Sequence, residues 1–510
     1  MVINHRRLKV TAASSLILLF FLIENPKLSM SMVSTDVVVT SSGSIVYPIV
    51  VNISVDFSRV IAINNLSLGV QIAHEWSSFV RYAELQRKFV ACNFSIVRFF
   101  VYHVQPCIFW NETTNSGIYD WTNFDKLMQT FQFLGVKDVL ICVGHNAEKG
   151  LPPGMDRNYN NTGFPNPDSF AAYCRDIAGH VKSKGWTVRF WEPYNEPYQI
   201  FTDGTRSRMY EEKYEAFVKL FNSAAEAILE FFPDALFGVD ISNVKAFLDR
   251  FVYDARHVGF LSFHKYDAYG TWLYAPNGYY SDAKVLEKAS ILGDSYRYTP
   301  KEMREKWFSM TGHDLPVLCT ETNLNSAWRN GTDPRIQQVV GAVWYAEVLR
   351  AFILNDVRYS VYFHFASNDS PRWEIDKQTK GYGFGMINST PPHTEWYPYL
   401  LNKLIGKNLH VGDKICWSLS SNSTFLSILA WISEGTQNIL LIGKAKDEIK
   451  VKINFEGINV TDESVYIVKI HESGSNLDLS VERFVDGLTM SENGYFVALL
   501  KVFINQNNNG

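Results

Sequence analysis

Two glutamates in this chain each stand directly after a short apolar run. Glu196 follows Val188-Arg-Phe-Trp191 and the turn residues after it, and Glu321 closes Leu315-Pro-Val-Leu-Cys-Thr-Glu321. A carboxyl at the end of a buried strand has a defined direction and is partly shielded from water. Two of them supply what glycosidic-bond cleavage requires: one protonates the leaving oxygen, the other attacks the anomeric carbon or activates water. Chain direction should change at Pro193, and Pro197 disfavours helix at the residue before it, so Glu196 is expected to be extended. Either glutamate alone reads more simply as a solvated strand end. Both together, with the strands that support them, reverse that reading, and Arg98 stands as the one charge in the apolar run Ile96–Tyr102. A buried guanidinium without a partner would be very costly, so a carboxylate is expected beside it.

What must position these groups is a repeated pattern of strand then helix. Candidate strands are Leu68–Ala73, Ile96–Tyr102, Val136–Val143, Thr187–Trp191, Ala235–Asp240, Gly259–His264, Pro316–Thr320 and Tyr359–Phe365. Between them lie helical stretches such as Tyr82–Ala91, Phe124–Phe133, Pro167–Lys184, Arg208–Phe232 and Val339–Leu354. Eight such repeats are the pattern of an α/β fold, a (β/α)8 TIM barrel, whose functional residues gather at the C-terminal strand ends. In order, those ends carry His74 and Glu75, Arg98, His145 and Asn146, Asn195 and Glu196, Asp240, His264 and Tyr266, Glu321, and His364. Glu192 is expected to pair structurally with Arg189. Tyr266–Glu305 is rich in Tyr, Gly and Trp and is expected to form a lid.

The barrel is read over residues 66–404. From about 405, short alternating strands take over: Thr424–Ile432, Asn438–Ile442, Ile449–Phe455, Ser464–Ile470, Val481–Phe484 and Tyr495–Ile504. They read as an accessory all-β sandwich over 405–505, which the Val- and Ile-rich strands of 36–65 would join. Asn493-Gly494 is expected as a tight hairpin turn. Residues 1–35 begin with a basic stretch, His5 to Lys9, followed by an apolar run from Val10 to Ile23. That length suits a signal-peptide core better than a full membrane span, leaving a cleaved leader or a retained membrane anchor. Ten Asn-x-Ser/Thr sequons lean the same way, toward an extracellular or cell-surface protein.

Composition bounds the function classes. A hydrophobic content of 46% and charged content of 20% over 510 residues describe a packed globular protein, of two domains or one large barrel with additions. A net charge of −4 gives no reason to expect nucleic acid as a partner. The six cysteines (Cys92, Cys107, Cys142, Cys174, Cys319 and Cys416) form no C-x-x-C pair and show no zinc-like spacing with histidine. Two-glutamate chemistry needs no metal or organic cofactor. Trp76, Trp328, Trp373 and Trp396 are candidate sugar platforms, each more simply read as packing.

Asn195-Glu196-Pro197 at the fourth strand and Glu321 at the seventh resemble the signature of clan A of the glycoside hydrolases. Trp191-Glu192 before the signature, His264-Lys-Tyr266 at the sixth strand and the attached β-domain are most similar to glycoside hydrolase family 39, which includes β-xylosidases and α-L-iduronidases. The resemblance implies a retaining enzyme acting on a carbohydrate, with Glu196 as acid/base and Glu321 as nucleophile. Asn195 would bind the sugar 2-hydroxyl, Arg98 would hold the nucleophile ionised, and His264 and Tyr266 would sit beside it. His145 and Asn146 are further candidates for substrate contact. Tyr194 stands where many relatives carry Trp or Gly, and His364-Phe365-Ala366 lacks the tryptophan common at the eighth strand. The resemblance therefore does not carry a particular sugar across.

Overall fold

Alternation along the strands explains how one sheet holds both an apolar core and a polar mouth. The computed structural model describes residues 38–39, 45–46, 48–147, 149–203, 208–241, 245–268, 280–294, 297–326, 333–367, 383–456, 465–472, 481–483 and 489–503. Met1–Ile49 and Val50–Gly510 form two compact units. In the first, Val38–Val39 pairs antiparallel with Ile45–Val46. The leader expected over residues 1–35 lies outside the described residues.

In the second unit, eight strands share one parallel sheet. They are β1 (Ser67–Ile72), β2 (Ile96–Phe100), β3 (Asp138–Gly144), β4 (Phe190–Tyr194), β5 (Leu236–Phe237), β6 (Leu261–Ala268), β7 (Val317–Asn325) and β8 (Val357–Tyr362). Their order is β5-β4-β3-β2-β1-β8-β7-β6, and parallel bridges from Phe237 to Val258 and from Asp240 to Ser262 close the ring between β5 and β6. Each strand is followed by a helix, among them Thr122–Phe133, Pro167–Ser183, Glu211–Leu229 and Val339–Leu354. The expected TIM barrel is present, with a separate β-sheet domain attached.

Inside the ring, Ile96, Leu140, Phe190, Phe260, Leu318, Tyr359 and Val361 make an apolar plug. Side chains two residues further along the same strands face the same way. Ile96 is thus followed inward by Arg98, Phe190 by Glu192, and Phe260 by Ser262, His264 and Tyr266. The plug ends where the polar residues begin. One strand departs from the expected course: β4 runs through Pro193 to Tyr194 rather than breaking there. Of the stretch expected to be a lid, Tyr266 to Ala268 extends β6, while Asp282–Ala289 and Pro300–Thr311 are helices. Residues 269–279 lie outside the described residues.

The second sheet has nine strands in the order Val481–Arg483, Val465–His471, Phe496–Val502, Thr436–Gly443, Leu426–Ser433, Lys414–Ser420, Ile49–Ile63, Ile449–Phe455 and Thr489–Glu492. The chain does bend at Asn493-Gly494, with Gly494 at φ 78°. It is not a hairpin, however, because the strands it joins occupy the third and ninth places. Four residue steps span at most about 14 Å, so the sheet must curl over to bring those places together as two layers. The six cysteines are all buried and unbridged. No helix among the described residues is long and apolar enough to cross a membrane.

Candidate active site

Arg98 organises the mouth of the barrel from the middle of β2. It is fully buried. Its Nε donates to Glu192 at 2.7 Å, one terminal nitrogen donates to Gln71 at 2.7 Å and to Glu321 at 2.6 Å, and the other donates to Asn195 at 2.7 Å. Burial alone would weaken its charge, but Glu192 and Glu321 push its pKa further up. Glu192 therefore does not pair with Arg189 as expected. It faces inward, where it also accepts a hydrogen bond from Ser262 at 3.1 Å. The strand's period of two, counted from Phe190, is the signal for this.

Glu321 reaches the mouth because of a register shift. Cys319 pairs with Ser360 across to β8, and the next paired residue is Thr322 with Tyr362, so the ladder is irregular between them. Such an irregularity lets two successive side chains turn inward. Thr320 meets the Ser262 hydroxyl at 2.7 Å, and Glu321 meets Arg98 through one oxygen and the Tyr266 hydroxyl at 2.7 Å through the other. Burial and the Glu321 charge push the Tyr266 phenol well up, so it stays a donor.

Glu196 lies beyond the end of β4. Its backbone is left-handed, with φ 44°, not extended as expected. The proline that follows disfavours ordinary helical geometry, and the chain turns sharply into the short helix Tyr198–Phe201. A non-glycine residue in this region is uncommon and strained, a state that recurs at functional sites. The strain directs the carboxyl back over the barrel, where it accepts from Tyr198 at 3.0 Å and from Gln199 and meets His264 Nδ1 at 3.0 Å.

His264 stands between the two glutamates. Its Nδ1 is 3.0 Å from Glu196, 3.5 Å from Asp240 and 3.6 Å from Glu321. Sharing one nitrogen keeps the nearest oxygens of Glu196 and Glu321 within about 6.6 Å of each other. That bound admits the roughly 5–5.5 Å carboxyl separation of retaining glycosidases. Burial would lower the His264 pKa, but the Glu321 and Asp240 charges and the Glu196 hydrogen bond raise it to about 10. Burial acts on Glu196 in the raising direction, and the His264 hydrogen bond and charge overcome it and hold the carboxyl below its ordinary value. The His264 hydrogen bond and charge, not burial, thus set the direction for this carboxyl. Glu196, Asp240 and His264 are also the one group among the described residues compact enough to grip a cation, with ligand atoms within 4.8 Å of one another.

The other expected residues sit around this centre. His145 accepts from the Ala147 N–H at 2.7 Å, and burial pulls its pKa down to about 4 against the charges of Glu321 and Glu196. It is a neutral group in the site. Asn146 is exposed and donates to Gln199 at 2.8 Å, and Gln199 in turn donates to Glu196. His364 pairs with Glu75 at 3.1 Å, and the rings of His74 and His103 lie 4.3 Å apart. Gln71, Ser262 and Thr320 join the site without any mark in the sequence pattern, and Asp240 stands out there only as a strand end. Trp328 and Trp373 lie outside the described residues.

No protein-family model and no curated protein matches this chain by sequence. Solved structures match it in shape. The monomeric beta-xylosidase of Caulobacter crescentus CB15 is similar at TM-score 0.61 and 16% identity, over 88% of this chain and 99% of that one. The GH51 alpha-L-arabinofuranosidase of Thermotoga petrophila RKU-1 is similar at TM-score 0.59 and 12% identity, over 89% of this chain and 100% of that one. A GH30 endoxylanase of Clostridium papyrosolvens C71 is similar at 0.53 and 11%, over 89% and 100%. At such identities the likeness shows a shared fold, the barrel and β-domain of these glycoside hydrolases.

Proposed function

We propose that this protein is a retaining glycoside hydrolase that cleaves O-glycosidic bonds by double displacement, with Glu321 as nucleophile and Glu196 as acid/base. One observation carries the reading: Glu321 is clamped between Arg98 and Tyr266, and Glu196 faces it across a single imidazole nitrogen. A nucleophile must be aimed, and two fixed donors aim it. Asn195, oriented by Arg98, is suited to hold the sugar 2-hydroxyl, while His145 supplies a neutral polar contact. The family-39 pattern and the β-xylosidase among the similar structures favour exo action on a xyloside-like sugar. Action within a chain is the alternative, because the same fold serves an endoxylanase. On this reading the catalytic barrel spans 66–404 and the accessory domain 405–505, and the leader directs the protein out of the cell.

Glu321→Gly abolishes turnover of every glycoside, because no covalent intermediate forms. Glu196→Ala hurts substrates with poor leaving groups most, by about 10²–10⁴-fold, and added azide restores turnover of activated aryl glycosides. Labelling with a 2-fluoro glycoside places the sugar on the peptide that contains Glu321. Label on the Glu196 peptide reverses the roles, and inverted product rejects the mechanism. A ladder of products from xylo-oligosaccharides, in place of single sugars, decides for endo action.

A further inference from the structure

The double displacement proposed above needs one proton that leaves Glu196 in the first half and returns in the second. In this site three carboxylates converge on His264 Nδ1: Glu196 from β4, Asp240 from just past β5, and Glu321 from β7. A nitrogen facing three acceptors must carry hydrogen. Tyr266 on the same strand bonds Glu321, while Arg98 from β2 and His145 from β3 complete the charged and titratable surroundings. His264 Nε2 has no partner, a cost that three negative neighbours outweigh. Asp240 is 2% exposed and lies where β5 bridges to Ser262 of β6.

We infer that His264 stores the catalytic proton and that Asp240 is the positioning residue that keeps it there through both half-reactions. In glycosylation, an oxygen of Glu321 bonds the anomeric carbon as the carbon–oxygen bond to the leaving group breaks. Glu196 draws the Nδ1 proton from His264 and passes it to the departing oxygen. The products are a neutral alcohol, a glycosyl ester on Glu321, a carboxylate on Glu196 and a neutral imidazole. In deglycosylation, water oxygen bonds the anomeric carbon and the ester bond breaks back to a Glu321 carboxylate. The proton from water passes to Glu196 and on to His264. Glu321 loses its charge as an ester, and Glu196 loses its charge at each transfer. Asp240 is the one of the three that no step consumes. Its charge therefore keeps the imidazole basic enough to draw the proton back during the second half.

The test is nitrogen-15 NMR of the full chain, with the His264 signals assigned by their loss in His264→Gln. Both ring nitrogens of His264 should be protonated at pH 8 in the wild type, and the imidazole should be neutral at that pH in Asp240→Asn. In kinetics, Asp240→Asn should move the basic limb of kcat/KM down by at least about one pH unit, with a greater loss for poor leaving groups than for acidic ones. A neutral His264 at pH 8 in the wild type overturns the inference, as does an unmoved basic limb. The wild-type titration does not use Asp240→Asn, so it decides even if that variant fails to fold. Inactivity of the wild type on all glycosides would remove the proposed function, while the NMR result would still decide where the proton resides.

Discussion

Arg98 shows how a fully buried charge is compensated: its donors meet two carboxylates and two amide oxygens at 2.6–2.7 Å. Removing either carboxylate would leave a buried charge unmatched, which typically costs about 3–5 kcal/mol. His264 is bound to its neighbours in the same way, and its titration links the site to stability. Its pKa rises from 6.5 when unfolded to about 10 when folded. The stabilisation is therefore complete below about pH 6.5 and fades as pH rises toward about 10, by about 1.4 kcal/mol for each pH unit in that window. Glu196, held below its usual value, works in the opposite sense, and its share is lost as pH falls through its folded pKa. Calorimetric melting should show the wild type losing more stability between pH 6.5 and 10 than His264→Gln does. Parallel curves would contradict the assignment.

At the scale of elements, β1 and β2 are drawn together by a missing side chain. A Cβ on Gly69 would lie 2.3 Å from Ile96 Cγ2 and 2.9 Å from the Ile96 carbonyl oxygen. Gly69 stands two residues before Gln71 on the inward face, and Ile96 stands two before Arg98. Close approach at the plug thus sets the level at which Gln71 meets Arg98 one layer above. Gly69→Val should overpack the plug, cost about 1–3 kcal/mol and spread β1 from β2. The expected result is a lower melting temperature together with a fall in kcat larger than the change in KM, because the Arg98 clamp on Glu321 loosens. Lost stability with unchanged kcat would show that the plug and the clamp are independent.

For the whole molecule, the barrel and the β-domain share a wall. Helix Val339–Leu354 buries residues on all its faces, as a helix apolar all round must. Arg350 Nε donates to the Ile428 carbonyl at 2.8 Å, Trp431 Nε1 donates to the Asn408 carbonyl at 2.8 Å, and Asp282 accepts from the Tyr495 hydroxyl at 3.2 Å. The strand Ile49–Ile63 lies between Lys414–Ser420 and Ile449–Phe455, so the β-domain needs both ends of the chain. A chain truncated after residue 408 should expose the apolar back of that helix and aggregate. Removal of residues 49–63 should open the nine-stranded sheet in its interior. Sedimentation and melting of the two truncations check this, and a soluble, cooperatively melting barrel alone would refute it.

The eight-strand barrel was legible because it rests on local periodicity: apolar runs of strand length alternate with helical repeats, and each pattern must bury its apolar side. The convergence of Arg98, Asn195, Glu196, His264, Tyr266 and Glu321 was legible for the same reason, since strand ends of one parallel barrel share a face. Other features depended on contacts that no local pattern encodes. The register shift that turns both Thr320 and Glu321 inward depends on pairing with neighbouring strands. The left-handed turn at Glu196 reflects a balance between local strain and tertiary contact. The curled sheet sends the two sides of Asn493-Gly494 to distant strands. Above all, the charge states of Glu196 and His264 were set by assembly. Burial would have raised the one and lowered the other, and convergence from β4, β5 and β7 onto a single nitrogen reversed both, because Coulomb interaction at 3.0–3.6 Å outweighs the loss of hydration.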